Sequence, residues 1–224
     1  MRDLIKQEQF ELEVLDKLNS GRFLNRMIFG GGTMLRLCHG LDRYSVDLDF
    51  WLLPADDYSQ WFDALRDYFE NFYDLRDAAD KFYTLILEVR SSNYPRGLKI
   101  EMRKNMEIAT LEQTIAYSPY STIQVLVRSI SLQDMMRSKF EALLQRKEIR
   151  DAYDLEFLVK KGVEVEITSE RAKQVLKVIE DFTSYDYSVK LGSVLEADRR
   201  AYYRVSNFRI LKEHLNLLTT VHRL

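Results

Sequence analysis

The chain has 224 residues, enough for one substantial core or for two lobes sharing a cleft. Hydrophobic residues make up 46% and charged residues 30%, which excludes an intrinsically disordered chain; no apolar run approaches the roughly 18–20 residues that span a bilayer. The net charge of −2 does not mark a nucleic-acid binder, and Cys38, the only cysteine, excludes an internal disulfide and reads as a buried, inert thiol.

In chain order, Asp3 to Leu18 reads as an amphipathic helix ended by Ser20-Gly21. Met27-Ile28-Phe29 is a short apolar strand that runs into Gly30-Gly31-Gly32, and Thr33 is placed to cap a short helix through Cys38. Tyr44 to Leu53 alternates Val46, Leu48 and Phe50 with Ser45, Asp47 and Asp49, the period of a half-buried strand, and Pro54 ends it. Asp57 to Tyr73 carries Trp61, Phe62, Leu65, Phe69 and Phe72 at helical spacing, a core-facing stripe. Phe82 to Arg90 and Leu98 to Arg103 read as strands joined through the turn Tyr94-Pro95-Arg96-Gly97, and Ile123 to Arg128 as another.

After Ser131 the texture becomes helical. Ser131-Leu132-Gln133-Asp134 resembles a capping box, opening a helix to about Arg146; further helices are expected over Glu148–Lys161, Thr168–Phe182 and Val189–Leu218. Strands in the first part and helices in the second predict a bilobal α+β chain: a mixed-sheet lobe over residues 1–130 and a helical lobe over residues 131–224 that closes the cleft.

Charge is unevenly spread. Between Ala55 and Asp80, Asp56, Asp57, Asp63, Asp67, Glu70, Asp74, Asp77 and Asp80 face only Arg66 and Arg76. From Arg199 onward Arg199, Arg200, Arg204, Arg209, Lys212 and Arg223 face Glu213 alone, with Tyr202, Tyr203 and Phe208 interleaved. That segment is either a phosphate-contacting, base-stacking RNA surface or a solvated helix face. The N-terminus, Met1 to Glu8, lacks the apolar stretch of a signal peptide, so a soluble cytoplasmic protein without membrane contact is expected.

Asp47 and Asp49 are two apart on the expected strand and so share a face. Two like charges at that spacing are either an exposed polar face or a pair compensated by a cation. Oxygen ligands on a rigid strand suit Mg²⁺ (or Mn²⁺), which takes few protein ligands and completes its octahedron with water and phosphate oxygens. The glycine run and the helix start just before them are either a plain tight turn or an anion cradle of backbone N–H groups and helix dipole. A phosphate cradle followed by a metal pair is what nucleotidyl transfer from an NTP requires. Glu101, on the polar side of Leu98 to Arg103, is either a third metal-binding acid, if that strand pairs beside the Asp47 strand, or a solvent-facing glutamate near Lys99 and Arg103.

On the helix after Ser131, Lys139 falls in the apolar stripe Leu132, Met135, Met136 and Leu143, where a lysine must snorkel or meet a buried anion. That anion is either a nucleotide phosphate or, as a structural ion pair, Asp154 of the next helix, which shares a face with Asp151, Leu155 and Leu158.

Three ordered motifs resemble one family. Gly31-Gly32-Thr33-Met34-Leu35-Arg36-Leu37, then Arg43-Tyr44-Ser45-Val46-Asp47-Leu48-Asp49-Phe50, then Lys139 with Arg150-Asp151-Ala152-Tyr153-Asp154-Leu155 look like the AbiEii/AbiGii-type nucleotidyltransferase toxins of type IV toxin–antitoxin and abortive-infection systems, in the polymerase-beta-like superfamily. Thr33 stands where members usually have serine and keeps the hydroxyl. The resemblance implies a nucleotidyltransferase-like sheet lobe and a helical lobe. It implies that Gly31, Gly32, Thr33, Arg43, Ser45 and Lys139 bind nucleotide, that Asp47 and Asp49 hold metal, and that Lys139 and Asp154 complete the catalytic set. It also implies transfer of an NMP from an NTP to an acceptor hydroxyl, with the 3′ end of a tRNA as expected acceptor and a cognate antitoxin as partner. The same site could instead transfer a phosphoryl group to a protein, or the fold could persist as a non-catalytic binding module.

Overall fold

A computed structural model describes residues 2–104 and 110–221, so Arg223 of the basic segment lies outside the described residues. The described chain divides into two compact units, Met1–Ile130 and Ser131–Leu224.

In the first unit the described strands form one seven-stranded mixed sheet. The strands are β1 (Met27–Gly30), β2 (Asp47–Leu52), β3 (Asp74–Asp80), β4 (Thr84–Arg90), β5 (Leu98–Arg103), β6 (Leu111–Tyr117) and β7 (Gln124–Ile130), in the order β3-β4-β5-β2-β1-β7-β6. β1 runs antiparallel to β2 and parallel to β7, while β2 runs parallel to β5. Helix α1 (Arg2–Ser20) packs on β5 and β7, α2 (Gly31–His39) on β1, β2 and β6, and α3 (Ser59–Glu70) on β3 and β4.

Alternation decides what each face of the sheet carries. Leu48, Phe50 and Leu52 of β2, Leu85, Leu87 and Val89 of β4, and Leu98, Ile100 and Met102 of β5 are all buried. Each such side chain contributes about 1.5–3 kcal/mol by leaving water. A strand period of two then sends Asp47, Asp49, Lys99 and Glu101 to the opposite face.

Several local expectations need correction. The helix after the glycines is capped by the backbone at Gly30, and Thr33 lies inside it; the short strand starts at Asp47, with Tyr44 to Val46 as irregular chain. β3 and β6 were not expected. Both are edge strands: β3 is mostly charged, and β6 has Leu111, Ile115 and Tyr117 on an exposed face, so neither carries a buried apolar stripe; pairing with β4 and β7 makes them strands. The charged β3 edge also discourages pairing with foreign chains. In α3, Phe62, Leu65 and Phe69 are core, but Phe72 lies beyond the helix and is exposed.

The second unit is helical: α4 (Leu132–Arg146), α5 (Ile149–Lys160), α6 (Ser169–Glu180), a π-helical turn over Asp186–Leu191, α7 (Ala197–Ser206) and α8 (Arg209–Val221). Ser131 caps α4 by accepting from the Asp134 N–H at 3.1 Å, and Thr168 caps α6 by accepting from Arg171 N–H at 3.3 Å. Glu156 of α5, fully buried, accepts from Tyr203 Oη at 2.9 Å, Lys160 Nζ at 2.8 Å and the Leu211 N–H at 3.2 Å, which ties α5, α7 and α8 together. Among the described residues no helix is long and apolar enough to cross a membrane.

Candidate active site

The site is built where β1 turns into α2. Gly31 has φ +72°, and a Cβ there would collide with the Asp49 carboxylate, so only glycine fits. A Cβ on Gly32 would collide with the Arg43 guanidinium and come within 3.0 Å of Ser45 Oγ. The glycine turn is thus where Asp49, Arg43 and Ser45 converge on the backbone at the start of a helix. Arg43 is held in place by donating to the Tyr44 carbonyl at 3.0 Å and is only 3% exposed. Unpaired backbone N–H groups at such a helix start, with the dipole behind them, favour an anion.

Thr33 is completely buried, and its hydroxyl donates to the Asp47 carbonyl at 2.5 Å. It joins α2 to the first residue of β2 and fixes the acid strand against the glycine turn.

β5 pairs beside β2 in parallel register, with Asp47 opposite Lys99 and Asp49 opposite Glu101. Partnered residues point to the same face, so the three acids and Lys99 share one surface. Glu101 is occupied: Lys99 Nζ donates to it at 3.2 Å, and Arg103 Nε lies 3.8 Å away. Partial burial works against a charged Lys99, but the bond to Glu101 and the charges of Asp47, Glu101 and Asp49 outweigh it and hold the lysine pKa above its ordinary value. Among the described residues no group of three or more histidine, cysteine or carboxylate side chains is gathered to hold a metal ion. The donor set of Asp47 and Asp49 on a rigid strand fits a small hard cation with few protein ligands. Glu101 lies in register beside Asp49, with Lys99 and Arg103 as its side-chain partners.

Sequence reasoning missed Lys99 as a member of this surface, although its place two residues before Glu101 put it on the same strand face. It also missed the acids beneath. Glu8 of α1 pairs with Arg36 of α2 and accepts from Ser118, and the Arg36 guanidinium stacks 3.8 Å from the Tyr44 ring centre. Glu11, one turn along α1, is fully buried with no hydrogen-bond partner for either oxygen. Burial first, then the like charge of Glu8, raise its carboxyl well above the usual range against the pull of Arg36, and Asp47 adds to the rise. Cys38 is held inert: burial pushes its thiol up to about 12 against a hydrogen bond with Thr114.

In the second unit Lys139 lies 2.7 Å from Asp154 and 3.1 Å from Asp151, and all three are buried. Arg146 adds a forked contact to Asp151, with Nε and Nη2 both at 2.7 Å. The anions that meet Lys139 are therefore both aspartates of α5, and Asp151, expected only to face packed structure, is one of them. Two of the three interleaved aromatics of the basic segment are taken up in the core. Tyr203 and Phe208 are core, and Tyr202 is exposed on α7 with Arg199 and Arg204.

Comparison with known proteins gives this geometry a context. No curated protein matches the sequence. The fold is similar to that of JHP933 from Helicobacter pylori, at 18% identity over 96% of both chains with a TM-score of 0.57. It is also similar to a suspected nucleotidyltransferase of H. pylori, at 18% identity over 93% of this chain and 96% of that one, with a TM-score of 0.54. At such identities these two likenesses speak to the fold. The family model described as "Nucleotidyl transferase AbiEii toxin, Type IV TA system" matches residues 13–204, a span that takes in the glycine turn, the strand acids and the Lys139 cluster. The chain therefore belongs to the AbiEii nucleotidyltransferase toxin family of type IV toxin–antitoxin systems, and it is a nucleotidyltransferase.

Proposed function

We propose that this enzyme transfers a nucleoside monophosphate from an NTP to an acceptor hydroxyl at the 3′ end of a tRNA, with a divalent metal held by Asp47 and Asp49. The observation that carries this reading is the approach of the Asp49 carboxylate to Gly31, which sets a metal-fitting acid pair against an anion-fitting turn. Backbone N–H groups at the start of α2 bind the triphosphate, and Arg43 and Ser45, gathered at Gly32, add a cation and a hydroxyl to it. Asp47 and Asp49 would hold Mg²⁺ or Mn²⁺, which would supply charge neutralisation of the phosphates. The acceptor oxygen forms a bond to the α-phosphorus, the bond to the bridging oxygen breaks, and pyrophosphate leaves with the electron pair. The hydroxyl proton passes to solvent. Lys99 keeps Glu101 engaged and offsets the acidic surface. Membership of the family implies an antitoxin as partner; on the proposed reading, modification of a tRNA end would block translation.

Incubating the enzyme and Mg²⁺ with total RNA and NTPs labelled at the α- or γ-phosphorus tests this. Label from the α-position on tRNA, absent with EDTA, is the expected result. Label from the γ-position on protein would replace nucleotidyl transfer with phosphoryl transfer.

A further inference from the structure

A cavity in the first unit opens beside Glu101, with a volume of about 710 Å³, within the range of small-ligand sites. One wall is the β3–β4 turn, closed by the Lys81 N–H donating to the Thr84 carbonyl at 2.9 Å. The tip of that turn carries Phe82 and Tyr83, edge to face at 4.5 Å between ring centres, and 82% and 75% exposed. Two adjacent rings left in water on a two-residue turn are costly unless something covers them, and their faces suit a flat ring.

Charge narrows the occupant. The lining holds Asp56, Asp57, Asp80 and Glu101 against Arg103 and Lys104, and Lys104 is paired with Asp80. A phosphate is therefore a poor guest. Asp57 is an ionised acceptor: its carboxyl is held below the usual range by hydrogen bonds from the Ser59 N–H at 2.9 Å and Ser59 Oγ at 2.7 Å. Aromatic faces and acceptor-only carboxylates together match an uncharged ring with N–H donors on its edge.

Resting on the nucleotidyl-transfer reading, we infer that this cavity receives the terminal nucleoside of the acceptor RNA, its base stacked on one ring of the Phe82–Tyr83 pair and meeting the other edge-on, and its amino edge donating to Asp56 or Asp57. The position supports this. The cavity shares Glu101 with the acid surface, and Glu101 lies opposite Asp49 on the neighbouring strand. An acceptor anchored there by its base brings its ribose hydroxyl toward the metal-fitting pair, while the triphosphate occupies the glycine turn on the other side of Asp49.

Fluorescence anisotropy tests the assignment without requiring any transfer to occur. The probes are labelled single-stranded RNA oligonucleotides identical except for a 3′-terminal adenosine, cytidine, uridine or abasic nucleotide, each titrated with wild type and with the Phe82→Ala/Tyr83→Ala variant. Both side chains are exposed, so the fold is unaffected, and an unchanged melting temperature checks this. Stacking predicts that the variant weakens adenosine- and cytidine-ended RNA by about tenfold or more. Wild type should bind the abasic-ended RNA as weakly as the variant binds the intact one, and the variant should not weaken abasic-ended RNA further. ATP affinity, measured by calorimetry, should be unchanged. Equal binding of abasic and intact ends by wild type, or a loss of ATP affinity in the variant, would overturn the assignment; so would displacement of the RNA from wild type, but not from the variant, by micromolar spermidine, which would make the cavity a cation site. If RNA is bound as expected but acquires no α-label, the pocket stands and the transfer reading fails.

Discussion

Two regions of this molecule concentrate charge in opposite ways. In the helical unit Lys139, Asp151 and Asp154 are buried and compensate one another, with Arg146 closing the group from the surface. In the sheet unit Asp47, Asp49 and Glu101 lie on one partly open face with Lys99, beside a glycine turn that admits no side chain. A buried cluster that satisfies itself holds helices together and is costly to break. An acid pair set against an anion-fitting turn keeps its repulsion in reserve for a ligand that brings its own positive charge. On the proposed reading, loss of the first group should unfold the chain and loss of the second should disarm it.

The sharpest break of that contrast is Asp49→Asn. Removing one metal-fitting carboxylate should lower kcat/KM for NMP transfer by about a thousandfold, equivalent to about 4 kcal/mol, with little change in melting temperature. Full transfer activity in this variant would remove the acid pair from the reaction.

Lys139→Met should act on the other side. It leaves Asp154 buried without its lysine and should cost about 3–5 kcal/mol of unfolding free energy, measured by urea denaturation. The double variant Lys139→Met/Asp154→Leu should regain much of that stability. If it also regains transfer, the pair is structural alone; if it folds well but stays inactive, Lys139 serves nucleotide as the family resemblance implies.

Gly31→Ala should link the two kinds of effect. The positive φ and the collision with Asp49 should cost about 1–3 kcal/mol and displace the acid, so that NTP affinity falls while the helical unit is untouched. Calorimetric titration with ATP and Mg²⁺ checks it.

The mildest test is Glu11→Gln. Because the folded carboxyl is held above its unfolded value near 4.5, the folded chain keeps a proton that the unfolded chain releases. The stability from this group is fully present below that pH and is lost as pH rises through the folded value. The glutamine variant should therefore flatten the decline of melting temperature with rising pH, and identical pH profiles for the two proteins would sink the assignment.

The features legible in the sequence are those set by neighbours along the chain. The two-residue spacing in Asp47-Leu48-Asp49 sends both acids to one face whatever surrounds them, because strand side chains alternate. Ser131 caps its helix through a bond three residues long, and the glycine run can only be a turn or a close approach. What the tertiary structure decided depends on partners distant in sequence. Whether Glu101 joins Asp49 was a question of which strands pair, and the answer is a register in which it lies alongside but is held by Lys99. Thr33 looked like a cap until burial showed its hydroxyl committed to the Asp47 carbonyl. β3 and β6 exist because a neighbouring strand offers them hydrogen bonds, which no local pattern records. The sequence by itself thus determined which residues could act together, since periodicity follows from covalent geometry; only long-range packing decided which of them face a turn fit for phosphate and which are spent on one another.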